Sequence, residues 1–436
     1  MTHILVLTAG KSPEPLINCI NNVNPDRVVF ICSEGSADSI EKVVKNVALT
    51  DFDQERDVVS LQQRLKRNDG IEVYNSLDRL DHVYHQTQEL LKRLQDENPG
   101  SHISADYTGG TKTMAAGLAM AAIDNENIEL LVTTAEQRNS SESTISGYSI
   151  PMAILQGSIH TQRLLTTELP LLLKRFDYAA ARETVNRVRL LKSHADATAS
   201  ELRDLDSILD AFDFWDRFDH VKALSILENK ASDPTLKPYV FNLKRIIGSR
   251  KLLDQNEQIQ AAKSIKGHGL EIIEDLLLNA ERRAKQKRYD DAIGRLYRAI
   301  ELTAQIQLIC DHSLHTGNIE IAKLPQHLQS SYVEIHQRQG GDSSLKLGLV
   351  ASYDLLFDLD NPLGLHWKRE KNSILDQLQH RNNSLFAHGF QPIQVNSWNE
   401  IKFTIGEFLN SVISEKSSAQ QDRQLQFPSD LKGLGI

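Results

Sequence analysis

Arg381 and His388 stand seven positions apart near the carboxyl end of the chain, with Asn382 directly after the arginine. In an α-helix, seven residues at about 100° each return to within about 20° of the same face, so both side chains can reach one cleft. A histidine can exchange protons with a 2′-hydroxyl or a leaving oxygen near neutral pH, while the planar guanidinium of an arginine binds the phosphate. The pair therefore indicates RNA cleavage without a metal ion.

Gly389 follows His388 and is a natural helix C-cap, which places the histidine in the last helical turn. At that position the helix dipole favours the protonated imidazole. The alternative is a chance pairing, because an arginine and a histidine at this spacing occur in many helices. The rest of the chain has to decide between these two interpretations.

The composition indicates a soluble protein of two or three domains, with 436 residues, 40% of them hydrophobic and 25% charged. Cys19, Cys32 and Cys310 are isolated, which disfavours both a disulfide framework and a zinc site. The first residues do not have the pattern of a signal peptide, and the apolar runs are strand-sized. We therefore expect a cytoplasmic protein without membrane contact. The net charge of −9 disfavours sequence-independent DNA coating but still allows a local basic patch that binds RNA.

Short β-rich runs alternate with helical segments in the first part of the chain. The predicted strands cover residues 3–8, 27–32, 71–75, 102–106 and 128–134. This alternation predicts right-handed βαβ crossovers and a parallel sheet that binds ligands at the carboxyl ends of its strands. From about residue 157 onward, apolar residues recur at three- and four-residue spacing, so we predict an almost entirely helical remainder.

Two of the predicted strands run into loops rich in glycine, threonine and lysine. The residues expected to contact an anion are Ala9, Gly10, Lys11 and Ser12 after the first strand, and Thr108, Gly109, Gly110, Thr111 and Lys112 after the fourth. The second loop opens a helix, whose N-terminal N–H groups bind anions. The alternative is a pair of ordinary βα turns. Neither loop has the glycine spacing of a Walker A motif or of a dinucleotide-binding turn, so ATP and dinucleotide cofactors are disfavoured.

The helical part contains two further patterns. An arginine, an aromatic residue and an aspartate recur together at Arg175-Phe176-Asp177, Arg217-Phe218-Asp219 and Arg288-Tyr289-Asp290. Their unequal spacing indicates shared helix-start chemistry rather than a solenoid. Arg298 and Glu301 lie one turn apart, and either form an intrahelical ion pair or line the cleft and orient Arg381.

The tail from Ser414 is polar, and we expect its last residues to be mobile.

The order of these features resembles that in the CARF–HEPN ribonucleases that accompany type III CRISPR systems. The resemblance spans nearly the whole chain and rests on residues 8–15, 106–114, 288–301 and 381–388. It implies an α/β, Rossmann-like CARF domain at residues 1–156, an all-α connector at 157–265 and an all-α HEPN domain at 266–436. It also implies that the CARF loops bind a cyclic oligoadenylate, with four adenosines as the favoured ring, and that the HEPN domain cleaves single-stranded RNA.

Carried over by position, Arg381 and His388 are the catalytic residues, with Asn382 in a supporting role and no metal site. Glu301 is a further catalytic candidate if it lines the cleft and orients Arg381. A cyclic oligoadenylate is a symmetric polyanion, and each chain holds one arginine–histidine motif, so we expect a twofold homodimer. Ligand binding then shifts the population of dimer arrangements and moves the paired HEPN domains.

Two other interpretations stay open at the level of sequence. In one, the chain is a non-catalytic nucleotide sensor whose helical part recruits a partner. In the other, the CARF domain also degrades its own activator, with Ser12, Thr111 and Lys112 positioning a ribose hydroxyl for in-line attack. Binding alone demands the same residue types.

Overall fold

The N-terminal part of the chain is a doubly wound α/β fold, and the rest is helical. The computed structural model describes residues 2–33, 36–47, 49, 51–61, 64–66, 72–74, 79–125, 127–135, 149–191, 196–340, 344–382, 389–417 and 423–436. The chain divides into two compact units, residues 1–161 with 188–199, and residues 162–187 with 200–436. The predicted fold class is confirmed. The three-domain division, with boundaries after residues 156 and 265, stays a prediction.

The strands of the first unit form one large sheet and one small one. In chain order they are β1 (His3–Thr8), β2 (Arg27–Cys32), β3 (Val58–Ser60), β4 (Arg64–Lys66), β5 (Glu72–Tyr74), β6 (His102–Asp106), β7 (Ile128–Ala135) and β8 (Ser149–Ala153). The six-stranded sheet has the order β3-β2-β1-β6-β7-β8. Its strand pairs are parallel except for β7 with β8, which is antiparallel.

Four of the five predicted strands lie in this sheet as β1, β2, β6 and β7. The strand predicted at residues 71–75 corresponds to β5, but β5 pairs antiparallel with β4 outside the main sheet. The third parallel strand is instead β3, which at three residues is too short to produce a periodic pattern. Because β8 is antiparallel, the sheet is mixed rather than purely parallel.

Helices cover both faces of the sheet. Those of the first part of the chain are α1 (Glu14–Val23), α2 (Ala37–Val47), α3 (Gln54–Asp57), α4 (Leu80–Glu97), α5 (Lys112–Asp124) and α6 (Gln156–Arg163). On one face, Leu5 and Leu7 of β1 belong to a core with Leu16 and Ile20 of α1. On the other, the alternate residues of β1 join a core with α4 and α5. With both faces buried, β1 is apolar at successive positions, as expected for a central parallel strand.

The second unit is a helical array. Its helices are α7 (Leu169–Leu173), α8 (Tyr178–Arg189), α9 (Asp196–Asp216), α10 (His220–Leu227), α11 (Lys237–Arg250), α12 (Glu257–Ala261), α13 (Glu271–Lys285), α14 (Tyr289–His312), α15 (Gln326–Arg338), α16 (Leu349–Asp358), α17 (Pro362–Asn382) and α18 (Val395–Lys416). Helix α14 packs against α13, α16, α17 and α18. Within the part of the chain that the structure describes, the helices fall short of the length and apolarity that a membrane span requires.

The three arginine–aromatic–aspartate segments mark helix starts that follow tight turns. The residues Phe176, Phe218 and Lys287 have left-handed φ angles of 55°, 63° and 62°. In each turn the next residue donates its N–H to the carbonyl five positions back, in the pairs Asp177–Leu172, Asp219–Phe214 and Arg288–Arg283. The third segment is shifted by one position, so Arg288 stands where the other two have aspartate. These turns join α7 to α8, α9 to α10 and α13 to α14.

The prediction of a mobile carboxyl terminus is wrong for residues 423–436. Phe427 and Leu434 are 3% and 0% exposed, respectively. The ring of Phe427 packs against Trp215, with the ring centroids 4.9 Å apart, and the Arg282 guanidinium lies 3.6 Å from the Phe427 centroid. The ring of Phe427 thus anchors this polar segment in the core of the helical unit.

His268 fixes the segment before α13 and carries a pH-dependent contribution to stability. Its Nε2 lies 3.1 Å from Glu274 Oε2, and its side chain is 5% exposed. Burial alone would lower the pKa of His268, but the Glu274 hydrogen bond and the negative charges of Glu271 and Glu274 outweigh burial and raise it. The protonated imidazole is therefore favoured in the folded chain.

We expect the stabilising effect of His268 to be complete below its ordinary pKa of 6.5 and to be lost as the pH rises through the higher folded value. The measurement is the melting temperature between pH 5.5 and 9 for the native chain and for His268→Gln. The difference between the two should shrink as pH rises. A difference that stays constant or grows would contradict the raised pKa. The exposed His327, replaced in the same way, serves as the control.

Candidate functional site

The two glycine-rich loops lie side by side at the carboxyl edge of the sheet. Strands β1 and β6 are parallel neighbours, with Leu7 in register with Asp106, so the loops that follow them leave the sheet together. The Thr8 hydroxyl donates a hydrogen bond of 2.8 Å to the carbonyl of Gly109. Ala9 is buried, and its N–H donates to Ile31 O at 2.8 Å. The first loop is therefore tied to strand β2 on one side and to the second loop on the other.

Glycine is required where the loops touch. A Cβ atom on Gly109 would lie 2.1 Å from the carbonyl oxygen of Thr8, and one on Gly10 would lie 3.0 Å from the backbone nitrogen of Gly110. Gly110 also has a φ of 78°, in the left-handed region that favours glycine. Any side chain at Gly109 would have to push the two backbones apart. The glycines thus permit the close approach that joins the two loops into a single surface.

Helix α5 presents its N-terminus to this surface. Thr111 is the N-cap, and its side-chain oxygen accepts a hydrogen bond from the Met114 N–H at 3.2 Å. The N–H groups of Lys112 and Thr113 have no acceptor among the described residues. Unpaired N–H groups at the start of a 13-residue helix favour an anion.

A buried carboxylate that the sequence analysis did not single out holds the second loop. Asp106, 1% exposed, accepts hydrogen bonds from the Thr108 N–H at 2.8 Å and the Thr133 hydroxyl at 2.7 Å. Thr133 N–H in turn donates to the Thr108 hydroxyl at 2.6 Å. Burial and the Asp106 charge raise the pKa of the Cys19 thiol well above its usual range, so the thiol stays protonated beside the carboxylate. An aspartate at the last position of a buried strand was the available sequence signal.

Lys11, Ser12 and Lys112 are exposed at the rim of this surface. Across the described ranges, neither lysine ammonium lies within ion-pair distance of a carboxylate. The two positive charges are therefore available to a ligand. All nine predicted ligand residues belong to the two loops that the sheet brings together, and their role in binding stays a prediction.

The predicted catalytic residues lie at the margin of the described chain. Arg381 and Asn382 are in the last turn of α17, where the structure describes the backbone but not their side chains. His388 lies outside the described residues. Their common helical face therefore stays a prediction from the spacing.

Helix α17 itself is firmly positioned. The Trp367 ring on α17 stacks on Tyr353 of α16, with the centroids 4.2 Å apart and the planes at 16°. The Tyr353 hydroxyl donates to the carbonyl of Ile300 on α14 at 2.8 Å. Lys371 Nζ pairs with Asp354 Oδ1 at 2.8 Å, which links α17 to α16 again. These contacts set the axis along which Arg381 is presented.

Glu301 forms the intrahelical ion pair that the sequence offered as one of two alternatives. The Arg298 guanidinium donates from Nη1 to Glu301 Oε2 at 2.7 Å and to Gln305 Oε1 at 3.2 Å. Both residues lie on α14, which packs against α17. A further role of Glu301 in orienting Arg381 stays a prediction.

The geometry defines a class of protein, namely an α/β domain whose two adjoining loops offer N–H groups and lysine charges, in a chain whose remainder is a helical array. Residues 261–412 match the family model described as the Csm6 HEPN domain. Among solved structures, the chain is similar to "Enterococcus italicus Csm6 bound to cyclic hexa-2'-fluoro-hexa-dAMP", with a TM-score of 0.57 and 15% identity, covering 97% of this chain and 96% of that chain. A comparison with curated proteins gave no match.

The match of residues 261–412 and the fold shared with a Csm6 structure support the resemblance to the CARF–HEPN family associated with type III CRISPR systems that the sequence motifs indicated. HEPN domains are generally ribonucleases, and the match of residues 261–412 supports this class of activity.

Proposed function

We propose that this chain is a cytoplasmic endoribonuclease of type III CRISPR antiviral defence, activated by a cyclic oligoadenylate and acting on single-stranded RNA. The match of residues 261–412 to the Csm6 HEPN domain carries the proposal. The surface formed by the two loops of the first unit supports the activator half of the proposal, because it offers N–H groups and lysine charges to phosphates.

The number of adenosines in the activator ring is the property that the binding experiment has to determine. The resemblance of the motifs favours four adenosines, whereas the E. italicus protein was solved with cyclic hexa-2'-fluoro-hexa-dAMP. Each loop surface binds one part of the ring, and two copies of the surface around a twofold axis match a symmetric polyanion. A homodimer is therefore part of the proposal, and a monomeric mass by light scattering with and without ligand would exclude it.

Cleavage proceeds by attack of the 2′-hydroxyl on the adjacent phosphorus, with loss of the 5′-oxygen of the next nucleotide. His388 transfers the proton, and Arg381 stabilises the charge on the phosphate oxygens, with Asn382 in support. The products are a 2′,3′-cyclic phosphate and a 5′-hydroxyl. Every atom of this step comes from the RNA and the imidazole, so the reaction as proposed requires no metal ion.

The first unit can also limit the signal by degrading the activator. Ser12, Thr111 and Lys112 are exposed on the two adjoining loops, where they can orient a ribose hydroxyl toward its own phosphate. Incubation of the activator with the His388→Ala chain separates this reaction from cleavage by the HEPN domain. Linear oligoadenylate products in that mixture would support it, and an intact ring after prolonged incubation would contradict it.

The full chain, incubated with end-labelled RNA and separately with rings of four and six adenosines, tests the proposal. We expect cleavage with one ring size and little without a ring. Tight binding of a ring without cleavage would support the rival function, a non-catalytic sensor whose helical part recruits a partner. Neither binding nor cleavage with any ring would contradict both.

Lys112→Ala is expected to weaken activator binding by about 1.5–3 kcal/mol, because one charge-assisted contact to phosphate is lost. Calorimetric titration measures the change. Lys92→Ala is the matched control, since Lys92 is an exposed lysine near the end of α4, away from the carboxyl edge of the sheet. The same affinity for Lys112→Ala and Lys92→Ala would remove Lys112 from the site.

A further inference from the structure

A cavity of about 720 Å³ lies in the helical unit, among the end of α11, the start of α13 and the first half of α14. Its floor is apolar: Ile272, Leu276 and Leu302 line it and are each 5% exposed. Gly294 also lines it, and a Cβ atom at that position would meet no atom within 4 Å. The missing side chain therefore leaves the cavity open at its centre. This volume is within the range of about 300–1,000 Å³ typical of small-molecule sites.

Three arginines line the same cavity, and each keeps hydrogen-bond donors unused. Arg298 bonds Glu301 and Gln305 through Nη1 alone. Arg295 uses Nε for Asn279, at 2.9 Å, and Nη1 for Asp291, at 2.8 Å. The Nη2 groups of Arg295 and Arg298 have no acceptor in the part of the chain that the structure describes. A guanidinium has five N–H donors, so an anion can bind without breaking these contacts.

The third arginine, Arg250, is held in position by hydrogen bonds to residues near the start of α10. Its Nη1 contacts His220 Nδ1 at 2.9 Å and the Phe218 carbonyl at 3.0 Å. His220 is fully buried, and its Nε2 lies 3.0 Å from Asp275 Oδ2. Burial lowers the pKa of His220, so the imidazole is neutral, accepting at Nδ1 and donating at Nε2. A fixed guanidinium loses little conformational freedom when a ligand binds.

The charge balance of the cavity lining is opposite to that of the whole chain. Arg250, Arg295 and Arg298 line the cavity with one acidic residue, Asp254, whereas the protein as a whole has a formal net charge of −9. Each arginine also has a carboxylate partner: Asp254 for Arg250, Asp291 for Arg295 and Glu301 for Arg298. An anion would therefore be bound by the unused N–H donors of these guanidinium groups rather than attracted by a large positive field.

A second cavity of about 490 Å³ lies beside the first, and Phe218 and Arg295 line both. Arg217 and Arg288, from the turns before α10 and α14, line the second cavity. Its lining also includes four aspartates, namely Asp177, Asp213, Asp216 and Asp291. The recurrent arginine–aromatic–aspartate segments therefore contribute charges of both signs next to the first cavity.

We infer that the larger cavity binds a nucleoside phosphate, with the base on the apolar floor and the phosphate on the arginines. Guanidinium groups bind phosphate through paired donors and stack on planar bases, and the apolar floor buries the face of the base. The source of this phosphate is a free mononucleotide or a nucleotide within single-stranded RNA, and binding of one probe of each kind distinguishes them. The RNA source rests on the proposed function, but the test measures binding and can fail separately from cleavage.

The experiment uses the full chain with His388→Ala, which keeps RNA intact. Its affinity for AMP is measured by calorimetry, and its affinity for a fluorescent RNA oligonucleotide is measured by fluorescence anisotropy. Arg298→Gln and Gly294→Phe are introduced separately, the first removing a donor group and the second filling the cavity. Each is expected to raise the Kd for RNA at least tenfold. An effect on AMP alone would assign the site to a free nucleotide.

Two matched variants serve as controls. Arg338→Gln removes an arginine with a comparable intrahelical pair, to Glu334 on α15, and Gly294→Ala adds only a methyl group to the cavity. Both should leave the affinities within twofold. Thermal unfolding shows whether Gly294→Phe is folded, and if it is not, the affinities of Arg298→Gln alone test the inference. The inference would be overturned if both test variants bound AMP and RNA with unchanged affinity. It would also be overturned if the control variants lost as much affinity as the test variants.

Discussion

Replacing His388 by alanine is expected to reduce activator-stimulated RNA cleavage by at least about 100-fold, the usual lower limit for loss of a general acid–base group. Arg381→Ala should have an effect of the same order, because the phosphate then loses its guanidinium partner. Activator affinity should stay nearly unchanged in both variants, since the loops that we propose to bind it belong to the other unit. Gel-based cleavage assays and calorimetry on the same preparations measure the two quantities.

Matched controls separate chemistry from folding. Arg369 is an exposed arginine on the same helix as Arg381, and His327 is an exposed histidine on α15. Alanine at either position should leave cleavage unchanged. The RNA products should carry 2′,3′-cyclic phosphates, and EDTA should not stop the reaction. Products with 5′-phosphates, or inhibition by EDTA that Mg²⁺ reverses, would show that the histidine mechanism is wrong even if the chain is a nuclease.

Asp216→Asn is expected to destabilise the helical unit by about 3–5 kcal/mol, the usual cost of removing one partner of a buried ion pair. Asp216 is 7% exposed and accepts from Arg282 Nε at 2.8 Å and from Asn279 Nδ2 at 2.9 Å. Arg283 pairs with the other carboxylate oxygen of Asp216. Arg282 is fully buried, so its positive charge needs a nearby carboxylate. With asparagine at position 216, the nearest carboxylate would be that of Asp275, 3.5 Å from Arg282 Nη2.

Thermal unfolding of the full chain measures this effect. At roughly 2–4 °C per kcal/mol for a domain of this size, the transition of the helical unit should fall by about 6 °C or more. Asp213→Asn is the control, because Asp213 lies on the same helix and pairs with Arg217, whose side chain is 57% exposed. An exposed pair contributes at most about 1 kcal/mol. Equal shifts for the two variants would show that the buried network contributes no more than a surface pair.

The sequence predicted the elements whose signals are local. Central strands such as β1 and β6 are buried on both faces, so their residues form continuous apolar runs that stand out in the sequence. Glycine and threonine between a strand and a helix likewise signal a tight turn and an N-cap, so the sequence predicts the two loops without knowledge of their contacts. The spacing of Arg381 and His388 is local as well, so this candidate pair came from the sequence alone.

Features that depend on distant partners were decided by the tertiary structure. The short strand β3 has no pattern of its own and exists because it pairs with β2, and β8 joins the sheet only through β7. Asp106 positions the second loop through Thr133, 27 residues away, and the tail is ordered because Phe427 enters an aromatic core near Trp215. The arginine-lined cavity likewise collects residues from separate helices. The sequence by itself predicted the α/β and helical parts, the two loops and the catalytic candidates, because propensity and periodicity act within a few residues. Only the tertiary structure decided which side chains meet, since long-range contacts depend on how those elements pack.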